Sequence, residues 1–159
     1  MQLTQQTLEE LLAYHYGKRE LVYDFLESLP PEAFVKPMQV GWSNMRTTLV
    51  HCLLTEEYWV QHGLRHLPHL DVAFTDYPTV SSVRRMAAEV RQRTEAYLSA
   101  LSLADLDQPA ELRYSNGARV EFTPAKALMH VILHDAHHRG QVLALARQLG
   151  YEPPEIDLM

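Results

Sequence analysis

Cysteine is almost missing from this sequence. Cys52 stands alone, so no internal disulfide can form and the fold must hold by packing, as suits a reducing compartment. Long apolar runs are missing as well. No stretch approaches the ~20 consecutive apolar residues that span a bilayer, so no membrane partner is expected. Basic runs are the third absence. Lys and Arg number 14 against 20 Asp and Glu, a formal charge of −6, and no basic stripe offers itself to a phosphate backbone. Nucleic acid is therefore not expected as a direct partner. The opening MQLTQQTLEE has neither the basic start nor the apolar core of a secretory signal, which makes a cytoplasmic location the expectation. Internal repeats and low-complexity segments are absent too. What is present is ordinary for a globular chain: 47% apolar and 21% charged residues over 159 positions. One domain, residues 1–159, is expected; at this length roughly 70% of the unfolded surface is buried on folding. The unusual number is nine histidines.

Apolar spacing predicts four long helices. The first runs from about Leu8 to Leu29, with Thr7 and Glu10 as a capping box, a stripe of Leu8, Leu11, Leu12, His15, Val22, Phe25, Leu26 and Leu29, and Pro30-Pro31 as its stop. The second starts with Ser43 as N-cap, continues through Leu49, Val50, Leu53, Leu54, Tyr58 and Trp59, and ends near Gly63. Residues 64–78 have two prolines and no period, which reads as a long loop. The third spans about Ser81 to Leu101. In ELRYSNGARVEF, Asn116-Gly117 between alternating runs predicts a hairpin closed by a type I′ turn, with positive φ at both residues. Thr123 as N-cap and Pro124 at the first helical position open the fourth helix, which ends at Gly150. Four one-striped helices bury their stripes most simply in an antiparallel bundle, so the expected class is all-α with a small β-hairpin before the last helix.

His130, His134 and His138 recur every four residues on the fourth helix. Each step turns the chain by only ~40°, so the three imidazoles share a face, and two at that spacing can grip one metal ion. Nearby, Asp135 is the sole acidic residue, which speaks against a salt-bridged surface helix. Histidines hydrogen-bonding across the bundle are the alternative, and periodicity leaves both open. His51, midway along the apolar second helix, needs a partner if buried; with a pair from the fourth helix it gives a trihistidine set that keeps positions open for water or substrate. His15 is either a donor behind that set or a satisfied core histidine, the simpler reading. His62 and His66 share the spacing at a helix end, where chance accounts for it. Cys52 is expected to pack. Glu56 and Glu57 lie further along the second helix, and Glu56 is the candidate general base.

LMHVILHDAHHRGQVLALARQLG followed by PPEIDL resembles the C-terminal signature of the DinB/YfiT-like family. The match runs from His134 through His138, Arg139, Gly140 and Gln141, followed by Arg147, Gln148 and Gly150 and by Pro153, Pro154 and Asp157. Its most specific part is the run His137, His138, Arg139, Gly140 and Gln141. On the second helix, His51, Glu56 and Trp59 fit the same pattern. The resemblance implies a four-helix bundle, often a homodimer, in which His51, His134 and His138 bind a divalent metal (Zn, Ni, Fe or Mn). It places His137 off the metal, makes Arg139 structural, and lets Gly140 admit another helix closely. The family's name records induction by DNA damage, and its relatives include thiol-dependent S-transferases and a maleylpyruvate isomerase.

Three functions are compatible with these residues. One is metal-assisted hydrolysis of a small molecule, which requires a general base such as Glu56. Another is S-transfer from a low-molecular-weight thiol that the metal deprotonates, which requires none. The third is a non-catalytic, damage-inducible metal-binding dimer. Trp42, Trp59, Phe74 and Tyr77 are more aromatics than so short a bundle buries, so an exposed apolar patch favouring a dimer is expected, with the histidine site opening toward the end that carries the loops.

Overall fold

A computed structural model describes residues 4–39 and 41–157. Leu158, which closes the quoted C-terminal tail, and Met1 to Leu3 of the opening segment lie outside the described residues. Four long helices form a bundle: α1 (Gln5–Glu27), α3 (Met45–Glu57), α4 (Val80–Ala100) and α5 (Pro124–Gln148). A short α2 (Pro31–Val35) follows α1. Strands β1 (Ala110–Arg113) and β2 (Arg119–Phe122) pair antiparallel just before α5, with Arg113 opposite Arg119.

Each long helix packs against two others, in the ring α1–α4–α3–α5. Two run one way and two the other. Val22 and Leu26 from the end of α1 share a core cluster with Val142 and Ala146 from the end of α5, and with the starts of α3 and α4. At the opposite end Leu8 and Leu12 meet Leu128 and Val131 from the start of α5, Leu98 from the end of α4, and Val60. Thus α1 and α5 are parallel neighbours, as are α3 and α4. The long connection after α3 makes this possible, because it returns the chain to the bundle end where α3 began.

The element boundaries follow local chemistry. α1 starts one turn earlier than the spacing predicted, because the Thr4 side chain accepts a hydrogen bond from the Thr7 amide. Pro31 does more than end α1: at a first helical position it needs no amide partner, and it opens α2. The cap of α3 is Asn44, not Ser43; its Oδ1 accepts from the Thr47 amide at 2.9 Å. Ser43 instead occupies a left-handed conformation, φ +77°. Beyond Glu57 the helix widens into a π-helical stretch, Tyr58–Leu64. The hairpin turn also departs from expectation. Gly117 alone has positive φ (+84°), its amide bonds to the Tyr114 carbonyl, and Asn116 uses its side chain to accept from the Ala118 amide. This is a type I turn ending in a left-handed glycine, which gives a longer loop than the two-residue turn.

Candidate metal centre

Midway along the bundle, α3 and α5 bring His51, His134 and His138 together. The Nε2 atom of His134 lies 3.1 Å from Nε2 of His51 and 3.2 Å from Nε2 of His138. All three residues offer nitrogens within 4.8 Å of one another, and they form the one such cluster of three or more ligand-type side chains found among the described residues. His138 is buried, while His51 and His134 are half-buried.

Hydrogen bonding cannot satisfy this convergence. Nδ1 of His138 lies 2.7 Å from Oε1 of Gln141, an acceptor, so the ring proton sits on Nδ1 and the Nε2 lone pair faces His134. The Nε2 of His134 can carry at most one proton, so it cannot donate along both of its short contacts. A cation relieves this by accepting every lone pair at once. For a metal about 2.1 Å from each nitrogen, neighbouring nitrogens stand roughly 3.0 Å apart in right-angled coordination and roughly 3.4 Å in tetrahedral coordination, which brackets the observed spacing. The residues fit a divalent ion.

Two supports hold the set from outside. Gln141 fixes the tautomer of His138 and places its Nε2 amide 3.0 Å from His137. Trp42 stacks on His51, with ring centroids 4.1 Å apart at 26°. Neither role was visible in sequence. Gln141 offered a signal, standing three residues after a ligand-type histidine on the same helix face; Trp42 sits in an irregular loop and offered none. His130 stays outside the cluster, edge-on to Trp59 at 5.2 Å. His62 does too, with Nδ1 2.8 Å from the Leu67 carbonyl oxygen.

Beside the histidines lies a buried charge network. Asp135 accepts from Arg19 (2.9 Å) and from Arg139, and Arg19 donates to Glu56 (2.8 Å). Glu56 also accepts from the Tyr16 hydroxyl (2.7 Å) and the Thr94 hydroxyl (2.8 Å). The structure therefore places Glu56 among three donors, at 1% exposure. Glu57 is paired with Arg93 at 3.1 Å. Burial alone would raise the Asp135 carboxyl, but Arg19, His15 and Arg139 outweigh it and hold the group well below the carboxylate range. Burial pushes the Cys52 thiol up, with Asp135 adding to the effect, so this cysteine is an inert packing residue. His15 is fully buried, its two ring nitrogens each 2.9 Å from an arginine, Arg19 at Nε2 and Arg139 at Nδ1. A neutral ring can accept from only one of these two donors, and the acceptor nearest its remaining N–H is Oδ2 of Asp135, 3.5 Å from Nδ1, so His15 is a core histidine built into the charge network.

Burial lowers His15 to about 4 against the opposing pull of Asp135. Burial also lowers His51 to about 4, with help from His138, and His134 to about 4, with help from His138 and His51. In the unfolded chain each titrates near 6.5. The unfolded state therefore takes up protons first as pH falls, and stability present above about 6.5 is lost progressively down to about 4. The metal-free protein should lose on the order of 3 kcal/mol from His15 over this window, with smaller shares from the solvent-screened His51 and His134. Urea midpoints measured in chelator at pH 7.5 and 4.5 check this; equal midpoints would mean the three imidazoles protonate freely in the folded protein.

Comparison with known proteins identifies the fold and the family. The chain is 26% identical over 140 residues to the uncharacterized protein YizA of Bacillus subtilis, covering 88% of this chain and 86% of that one. It is 22% identical over 153 residues to Protein DinB of the same organism, covering 93% and 89%. A crystal structure of a DinB-like protein from Bacillus cereus superposes with a TM-score of 0.63 over 98% of this chain and 99% of that one, at 22% identity, and so shares the fold. The model of the DinB family matches residues 1–159 from end to end, and the chain belongs to that family.

Proposed function

We propose that this protein binds one divalent metal through His51, His134 and His138 and uses it to activate a small molecule. The convergence of three Nε2 atoms, at least one contact of which no proton can bridge, carries the reading. A divalent ion held by neutral imidazoles supplies a Lewis acid that lowers the pKa of a bound thiol or water. The donor set suits Zn, Ni, Fe or Mn alike. The chain's own residues then orient and shield: Gln141 holds His138 in the ligating tautomer, and Trp42 packs over His51.

The state of the two glutamates favours S-transfer from a low-molecular-weight thiol over hydrolysis. Glu56 is engaged by three donors inside the bundle and Glu57 by Arg93, so neither carboxylate is free to take a proton from attacking water. We further propose a homodimer through the outer face of α5. Leu133 is 62% exposed there, and among the described residues no other part of the bundle comes within 4 Å of a Cβ placed on Gly140. Among the described residues no helix uses the close approach that Gly140 allows, which leaves it for a helix of a second copy. Light scattering tests the dimer.

The test of function is metal analysis of untagged protein, then turnover of electrophiles with and without bacillithiol, mycothiol or glutathione. One metal per chain and thiol-dependent turnover are expected. Turnover indifferent to thiol would replace S-transfer by hydrolysis, and a metal-loaded protein without turnover would leave the binding-protein reading.

A further inference from the structure

Trp42 is an anomaly next to the histidines. One face of the indole stacks on His51, yet the residue remains 43% exposed, with Phe74 edge-on at 6.2 Å. A tryptophan that served only to seal the site would be buried, and the chain holds this one in place at a cost. Ser43 beside it adopts φ +77°, a conformation that non-glycine residues rarely take and that collects at ligand sites. On the other side Gly41 has φ +56°, and a Cβ there would meet Oε1 of Gln141 at 3.1 Å, so a side chain at this position would press on the group that orients His138. The Thr47 hydroxyl in the cap of α3 donates to the Trp42 carbonyl. The indole is therefore fixed from both sides before any ligand arrives, which lowers the ordering cost of binding to it.

The charge of the site says what binds beside that indole. Three neutral imidazoles leave the full positive charge of a divalent ion uncompensated. The buried carboxylates Glu56 and Asp135 are already matched by Arg19 and Arg139. The head group that completes the site is anionic. We infer that Trp42 is the specificity surface of this centre: it takes the flat aromatic or conjugated body of a small ligand whose anionic head binds at His51, His134 and His138. The inference rests on the metal reading above and adds the class of ligand to it.

Benzohydroxamate and acetohydroxamate test this, because they present the same anionic chelating head with a phenyl or a methyl body. Cobalt-loaded protein reports their binding through its visible spectrum. Wild type should bind benzohydroxamate about tenfold more tightly. Trp42→Ala should bring that ratio near one, whatever the lost stacking on His51 does to the acetohydroxamate affinity common to both ligands, and Trp42→Phe should restore most of the preference. If Trp42→Ala fails to hold cobalt, Trp42→Leu, apolar but not planar, supplies the same comparison. Equal affinities in wild type, or an undiminished ratio without the indole, would overturn the specificity surface while leaving the metal site intact. A wild-type protein that takes up no cobalt would remove the site and the inference together.

Discussion

Asp135→Ala should destabilise the protein by about 3–5 kcal/mol, since removing one partner of a buried ion pair strands the other. Asp135 is 1% exposed and accepts from two arginines, Arg19 and Arg139, that are themselves 2% exposed. Without it, two buried guanidinium groups face the single charge of Glu56. Asp135→Asn keeps the shape and loses the charge, so it should recover little. Asp135→Ala with Arg139→Met should recover more than either predicts, because it leaves Arg19 matched to Glu56 and replaces a stranded charge by an apolar side chain. Urea unfolding of the three variants decides the matter. A loss below about 1 kcal/mol for Asp135→Ala would mean that water reaches the arginines and the network is solvated.

That network also marks the limit of what was legible in the sequence. The bundle was readable because apolar spacing at 3.6 residues has few alternatives, and the hairpin because an Asn-Gly pair lies between alternating runs. The network was not, because charged residues ordinarily mark a solvated face. Arg19 in GKRE looks like surface, yet it stands four residues after His15 and three before Val22, filling a gap in the buried stripe of α1. Asp135 and Arg139 interrupt the stripe of α5 in the same way, between Val131 and Val142. A charge at a stripe position is a sign of burial only if a matching charge exists on the facing helix, and pairing between helices is tertiary information. Glu56 shows the consequence: the sequence offered it as a general base, and the fold surrounds it with Tyr16, Thr94 and Arg19.

The histidines were legible in part for the same reason. His134 and His138 share a face by helix geometry alone, but only the packing of α3 on α5 brings His51 to them. Trp42 was readable only as a surplus aromatic, and its place beside His51 and the role of Gly41 were not, because irregular backbone has no period to read. The direction of the helices escaped for a similar reason: no residue pattern declares that the segment after α3 carries the chain back along the bundle.

His51→Ala should abolish stoichiometric metal binding and, with it, the stability that the metal confers. A metal at 100 times its Kd stabilises the folded state by about 2.7 kcal/mol, and that increment should vanish in the variant. In chelator the same substitution should cost only about 1 kcal/mol, for the lost stacking on Trp42, because His51 is half-buried and among the described residues its Nε2 meets only the crowded Nε2 of His134. The contrast between the two conditions separates ligation from packing. His134→Ala and His138→Ala should behave alike. Gln141→Leu, which frees the His138 ring without removing a ligand, should weaken metal binding by about 10–100-fold. His66→Ala should change nothing, since His66 is exposed and outside the cluster. Ligation requires neutral imidazoles, so the metal-dependent increment should shrink as pH falls, whereas a purely structural role for His51 would not respond to metal at any pH. Metal content by elemental analysis, paired with melting curves with and without chelator, reads all of these outcomes. Unchanged stoichiometry in His51→Ala would remove it from the ligand set and leave the α5 histidines to bind without α3.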